Sequence, residues 1–281
     1  MIGALRNNSF LPRIRYKGLQ IGCGVLLAGI ALTGIAAPWL APHDPNHVEL
    51  LHKFASPSLE YPFGTDHLGR CVLSRLLIGI RISLGISIAV MVFTLLIGMV
   101  VGTFSALKGG LVDATFMRLC DLLLAFPTLV LAFALLGIFG TGVKSLIMAL
   151  VLSQWVYYAR MVRGMVLSIH TRSFIQAAIV NGTRRWMLLW RHILPNISTQ
   201  ILVLAALEIG TVILEVTGFS FLGLGVQAPT PEWGMMMNEA RQQLRQHPEM
   251  MWIPGLAVMF VVIVCNVLGE SLRDYYDPKG R

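Results

Sequence analysis

Three carboxylates stand where carboxylates are costly. Asp121, Glu208 and Glu215 border or interrupt apolar runs, and an ionised group held in hydrocarbon costs roughly 3 kcal/mol or more unless it is paired or hydrated. Glu208 and Glu215 are seven residues apart, so on a helix they share one face. Such a pair can guide a cation along a path, or bond neighbouring helices; both readings stand, and Glu208, Glu215 and Asp121 are the candidates for a translocation path. Asp121 follows Arg118 by three residues, the spacing of a local ion pair on a helix. A second group of potential ligands comprises His43, His47, His52, His67 and His247, with Met235–Met237, Met250 and Met251. Imidazole and thioether suit late transition metals, but no His-x3-His pair falls on an expected helix, so no metal site is assigned. The four cysteines, Cys23, Cys71, Cys120 and Cys265, form no CxxC and read as small packing residues. The nearest approach to a phosphate loop is Gly137–Ser145, where Val143 separates Gly142 from Lys144. A phosphate cradle needs that Gly-Lys step intact. No nucleotide site, catalytic residue or cofactor is expected in this chain.

The elements that must position these groups are membrane helices. Of 281 residues 56% are hydrophobic and 13% charged, against roughly 25% charged in a soluble domain. Residues 18–40, 82–107, 122–143 and 250–269 carry no charge, each enough helix to cross a hydrocarbon core of roughly 30 Å. Two further spans are less clean: Ser145–Ala159, bracketed by Lys144 and Arg160, whose stems can snorkel, and Ile197–Gly223, interrupted by the two glutamates. The expected fold is therefore all-α and integral to the membrane, with six transmembrane helices. Pro127 should kink the third, and Gly98 and Gly102 give the second a GxxxG spacing for close helix packing. Residues 41–77, with Pro42, Pro45, Pro57 and Pro62, are too polar to span and too proline-rich for one helix. The chain divides into residues 1–77 (tail, first helix, external segment) and a core of five helices over 78–281.

Basic residues orient the helices. With the N-terminus inside, six crossings place Arg6, Arg13, Arg15, Lys17, Lys108, Arg118, the six arginines from Arg160 to Arg191, Arg273, Lys279 and Arg281 in the cytoplasm. The other side keeps Lys53, Arg70, Arg75, Lys144, Arg241 and Arg245, which is 15 against 6, with Arg81 at a helix start. That is a positive-inside bias. Topology accounts for most of the net charge of +8, and no nucleic-acid partner is needed. The first apolar run, 23 residues long, exceeds the usual h-region of about 7–15 residues, so an uncleaved helix is expected.

One cytoplasmic loop has a chemistry of its own. From Thr171 to Asn196 it is basic, and Trp186, Leu189, Trp190 and Ile193 fall at i, i+3, i+4 and i+7, one apolar helical face. Composition alone suits either an interfacial helix on anionic lipid or a docking element. Within it runs Gln176-Ala177-Ala178, then Gly182 and Pro195. This pattern resembles the EAA loop of ABC importer permeases, with Gln176 in place of the usual Glu. Two more strings fit one branch of that family. Gly64-Thr65-Asp66-His67-Leu68-Gly69-Arg70, followed by Ser74-Arg75, resembles the GTDxxGRDxxSR signature of the dipeptide/oligopeptide/nickel permeases, with Cys71 where that family has Asp. Ser220-Phe221-Leu222-Gly223-Leu224-Gly225, then Pro229, Pro231, Trp233 and Gly234, resembles its SFLGLGxxxPxPxWG signature.

The resemblance implies the type I ABC importer permease fold, with a cytoplasmic EAA-type coupling helix seated in a groove of an ATPase. Gln176, Ala177, Ala178, Gly182, Arg184, Trp186 and Pro195 would form that docking element, Gly182 as a break and Pro195 as a stop. It implies two ATP-binding subunits that bind the ATP and Mg, a second homologous permease, an external substrate-binding protein, membrane lipid around the helices, and an inner-membrane location with both termini cytoplasmic. The segment Ser153–Arg163 looks closer to nickel-type than to peptide-type permeases. The expected cargo is nickel or a metal–chelator complex, with dipeptides or oligopeptides as the alternative.

Overall fold

The computed structural model describes residues 13–276; Arg6, Lys279 and Arg281 of the basic tails lie outside the described residues. Long helices carry the fold: α1 (Arg13–Leu40), α2 (Val72–Lys108), α3 (Gly110–Leu124), α4 (Thr128–Phe139), α5 (Val143–His170), α6 (Ser173–Val180), α7 (Arg185–Leu188), α8 (Leu194–Phe221), α9 (Trp233–Ala240) and α10 (Glu249–Tyr276). Five segments are long and apolar enough to cross a membrane, and α3 with α4 makes a sixth if that bent pair counts as one span. The loops at 41–71, 140–142 and 222–248 share one end of the bundle. The 109–110 turn and residues 171–193 share the other.

The third span departs from expectation. A kinked helix over 122–143 is replaced by two helices that meet at 89°. The residue before a proline avoids the α region and the proline has no N–H to give, so α3 stops at Leu124, and Pro127, at ψ 129°, stands as the N-cap of α4. Twelve residues of α4 rise only about 18 Å. At its other end α3 leaves α2 through Gly109 and Gly110, both in the left-handed region at φ 64° and 57°. The second helix starts ten residues before the expected apolar run, at Val72, so Arg75 and Arg81 lie within it. A charge-free window could not include them.

Packing follows the small residues. In lipid, apolar burial supplies little drive between helices, so close backbone approach must. α2 runs along α5, and α8 along α10. A Cβ on Gly98 would stand 2.6 Å from Tyr158 Cβ, and one on Gly102 would stand 3.0 Å from the Arg163 nitrogen. The GxxxG spacing is thus used within the chain, between α2 and α5. Across α8 and α10, a Cβ on Gly269 would meet the Ala206 carbonyl at 2.6 Å. We expect Gly102→Val to destabilise the protein by about 2 kcal/mol through overpacking, read as a lower Tm in detergent. Gly85→Val, where a Cβ meets nothing within 4 Å, should leave the Tm nearly unchanged.

Candidate functional site: a polar face on α3, α5 and α8, and a helical elbow at 171–193

The two long sequence strings meet in one buried cluster. Arg70 and Arg75 are 2% and 1% exposed. Arg70 Nε donates to Asp66 Oδ2 at 2.7 Å, and Arg70 Nη2 and Arg75 Nη2 share Glu239 Oε2 at 2.9 and 2.7 Å. The proline-rich segment, the start of α2 and α9 are therefore locked by one neutral quartet. Asp66 Oδ1 also accepts from the Leu68 and Arg70 amides, folding the turn that delivers Arg70. Below it, Glu232 caps α9 by accepting from the Met235 amide at 3.0 Å and binds Ser83 at 2.9 Å. Burial pushes the Glu232 carboxyl above the usual range, while these donors pull it back. Trp233 lies against Gly79 and donates its indole N–H to the Leu76 carbonyl at 3.2 Å. Cys71, in the place of the family's Asp, is the N-cap of α2 and makes no side-chain capping bond.

Two of the histidines are used in packing, while His47 and His52 are exposed. His43 stacks on Tyr61 at 4.7 Å and Phe54 on His247 at 3.9 Å, with His247 also bonded to Glu249. Among the described residues, no group of three His, Cys, Asp or Glu could hold a metal ion.

Glu208 and Glu215 share one side of α8, and two of the three carboxylates, Glu215 and Asp121, bond to α5. Glu215 accepts from the Gln154 side chain of α5. Glu208 stands half-buried two turns away on the same helix. Asp121 pairs with Arg160 on α5, a correction to the expected pair with Arg118. α3 packs along α5 through Met117, Cys120, Leu123 and Leu124, against Trp155, Val156 and Ala159, and so brings Asp121 beside Arg160. Asp113 Oδ1 and Oδ2 take both arms of Arg163 at 2.6 and 2.5 Å, and Ser105 adds a bond at 2.5 Å. Between Asp113 and Asp121 α3 advances about 12 Å, and its partners on α5 run back from Arg163 to Arg160. The Asp121–Arg160 pair is about half exposed, 55% and 52%. Charges so placed need water or protein against them rather than lipid. Sequence reasoning missed Gln154, Asp113, Glu232 and Glu239. Glu239 had one available signal: two arginines bordering an apolar run require acids, and the 222–248 loop supplies few.

The loop at 171–193 is an elbow. Gly182, at φ 75°, closes α6, its amide and that of Thr183 bonding back to Ile179 and Ala178. A Cβ there would meet nothing, so within this chain the glycine serves backbone conformation. Pro195 does not stop the helix, contrary to expectation. α7 passes through a π-helical turn at Leu189–Ile193 directly into α8, and Pro195 occupies its first turn, just past the π-turn. The π-turn also divides the expected apolar stripe. Leu188, Leu189 and Ile193 are buried against Val162, Val166 and Ile175, while Trp186 and Trp190 remain 68% and 57% exposed and edge-on to each other. Ala177, Arg184 and Arg191 are exposed beside them, and Ala178 is half-buried. Gln176 donates from Nε2 to the His170 carbonyl at 2.7 Å, tying α6 to the end of α5. An ionised glutamate has no hydrogen to donate there.

Residues 95–281 match the family of binding-protein-dependent transport system inner membrane components. The chain belongs to this family. It is 42% identical over 254 residues to the nickel transport system permease protein NikC of Escherichia coli K12, covering 90% of this chain and 92% of that one. It is 40% identical over 263 residues to the metal-staphylopine import system permease protein CntC of Staphylococcus aureus NCTC 8325, covering 94% and 91%. It is 38% identical over 277 residues to the glutathione transport system permease protein GsiD of an Escherichia coli O6:K15:H31 strain, covering 97% and 90%. A chain of the inward-facing MetNI methionine ABC transporter superposes with a TM-score of 0.58 at 17% identity, over 72% of this chain and 97% of that one. That likeness concerns the fold. The permease is thus a membrane component of an ABC importer.

Two outcomes test the site's architecture. Glu239→Gln leaves two buried arginines to one carboxylate and should cost about 3 kcal/mol, seen as a lower Tm. Gln176→Glu removes one partly solvated bond and should cost about 0.5 kcal/mol, with faster amide exchange at the α5–α6 junction.

Proposed function

We propose that this chain is one of two permease halves of an importer for nickel or a metal–chelator complex, its path lined by the polar face of α3, α5 and α8. The observation that carries the reading is the placement of Glu208 and Glu215 on that face, with no cation paired to either among the described residues. Carboxylates along a narrow wet path favour cations by Coulomb attraction. The nickel and metal-staphylopine relatives support this cargo. A related second permease covers the face, two ATP-binding subunits hydrolyse ATP and hold its Mg, and an external binding protein delivers cargo. This chain itself needs no cofactor. The elbow at 171–193 lies in the cytoplasm, as do both termini, and residues 41–71 lie outside, in accord with the basic asymmetry. The exposed Trp186, Trp190, Ala177 and Arg184 make the elbow a surface for an ATPase groove.

Import of a small peptide is the second reading, favoured by the match to the glutathione permease over 97% of this chain. Uptake of radioactive nickel in cells with and without the gene decides. Nickel uptake should fall on deletion; unchanged nickel uptake with lost glutathione uptake hands the case to the peptide reading. Coupling is tested by Gly182→Trp. We expect insertion to persist while transport and cargo-stimulated ATP hydrolysis fall together, and normal transport by this variant would refute docking at the elbow. Single cysteines at Ser173 and Ser58, both exposed, should label from opposite faces of the membrane in a background without the four buried native cysteines.

A further inference from the structure

The carboxylates at span depth are held in two different ways. Asp113 and Asp121 are each neutralised by an arginine. Glu215 is held by Gln154, a neutral donor that is itself buried, 8% exposed, on the facing helix. Only Oε2 takes the amide; Oε1 has no protein partner among the described residues and is not sealed from the surface. An arginine or lysine in place of Gln154 would fix the carboxylate equally well and cancel its charge. A carboxamide fixes it and leaves the charge available.

We propose that Gln154 is a positioning residue for transport: it pins Glu215 across α5 and α8 as an un-neutralised carboxylate, so that the path favours cargo carrying positive charge. The proposal rests on the reading of the α3–α5–α8 face as the path, and it deepens that reading by naming the device that keeps one of its charges in place. Glu208 stands two turns away on the same side of α8, half-buried.

The test uses the complete importer in cells, with radioactive nickel(II) as probe and co-purification of the ATPase as the measure of assembly. Gln154→Met, similar in size and without a donor, should lower nickel uptake several-fold by raising the apparent KM. Gln154→Lys keeps and strengthens the tie between α5 and α8 but cancels the charge, and uptake should drop by about tenfold or more while assembly persists. A purely structural tie predicts the reverse order, so normal uptake by Gln154→Lys overturns the proposal. Should Gln154→Met not assemble, the exchange Gln154→Glu with Glu215→Gln keeps an amide–carboxylate pair between the same helices with the charge moved to α5. That exchange keeps a free carboxylate in the path and should restore most of the nickel uptake; uptake no better than that of Glu215→Gln alone overturns the proposal. If Glu215→Gln alone transports normally, the path reading fails, not the role of Gln154 in holding Glu215. If glutathione, an anion, proves to be the cargo in place of nickel, a path that favours positive charge is refuted. No change in either cargo on Gln154→Lys refutes the proposal.

Discussion

A charge that leaves water for a low-dielectric interior must find an opposite charge or a hydrogen bond, and that single constraint organises this permease. Its charged side chains at depth act as fasteners. Asp66, Arg70, Arg75 and Glu239 join the proline-rich segment, α2 and α9 at one end of the bundle. Asp113 with Arg163, and Asp121 with Arg160, hold α3 across α5 near the other. Replacing such pairs by apolar groups can be neutral for stability, whereas removing one partner leaves an uncompensated charge. Their value here is in fixing which segments meet. α3 depends on this most, because Cys120 is its one buried residue and it is bounded by two left-handed glycines and a proline break.

Where charges are absent, close approach takes over. Gly98 and Gly102 bring α2 onto α5, and Gly210 and Gly269 bring α8 onto α10. These two close-packed pairs form a frame against which the polar face of α5 and α8 is held. α4 packs on this frame through Ala132 and Leu136, and its Phe133 meets Phe219 of α8 at 4.8 Å between ring centroids.

Because the π-turn carries α7 into α8 without a loop, Trp186 and Trp190 stand on the same continuous run of helix as Glu208 and Glu215. The buried Leu188, Leu189 and Ile193 anchor that helix to α5, and Gln176 fastens α6 to the same helix end. A glutamine at this position has a local use that a glutamate could not serve.

Much of this was legible in the residues. Charge-free runs revealed the spans because hydrocarbon excludes unpaired charge over a fixed thickness, and the helical period placed Glu208 and Glu215 on one face because seven residues are close to two turns. Three ordered motifs carried the family. What the residues could not decide were the partners and the breaks. Arg118 was nearer in sequence to Asp121 than Arg160 was, but an 89° bend at Pro127 and a glycine pair at 109–110 set the direction of α3, and direction chooses the partner. The i, i+3, i+4, i+7 stripe at Trp186–Ile193 assumed 3.6 residues per turn; one π-turn changed the count and separated the tryptophans from the leucines. Glu239 and Gln154 were unremarkable in a linear reading because their roles exist only against side chains 164 and 61 residues away. Local patterning fixes what a segment is, and only the packed bundle fixes what each polar side chain meets.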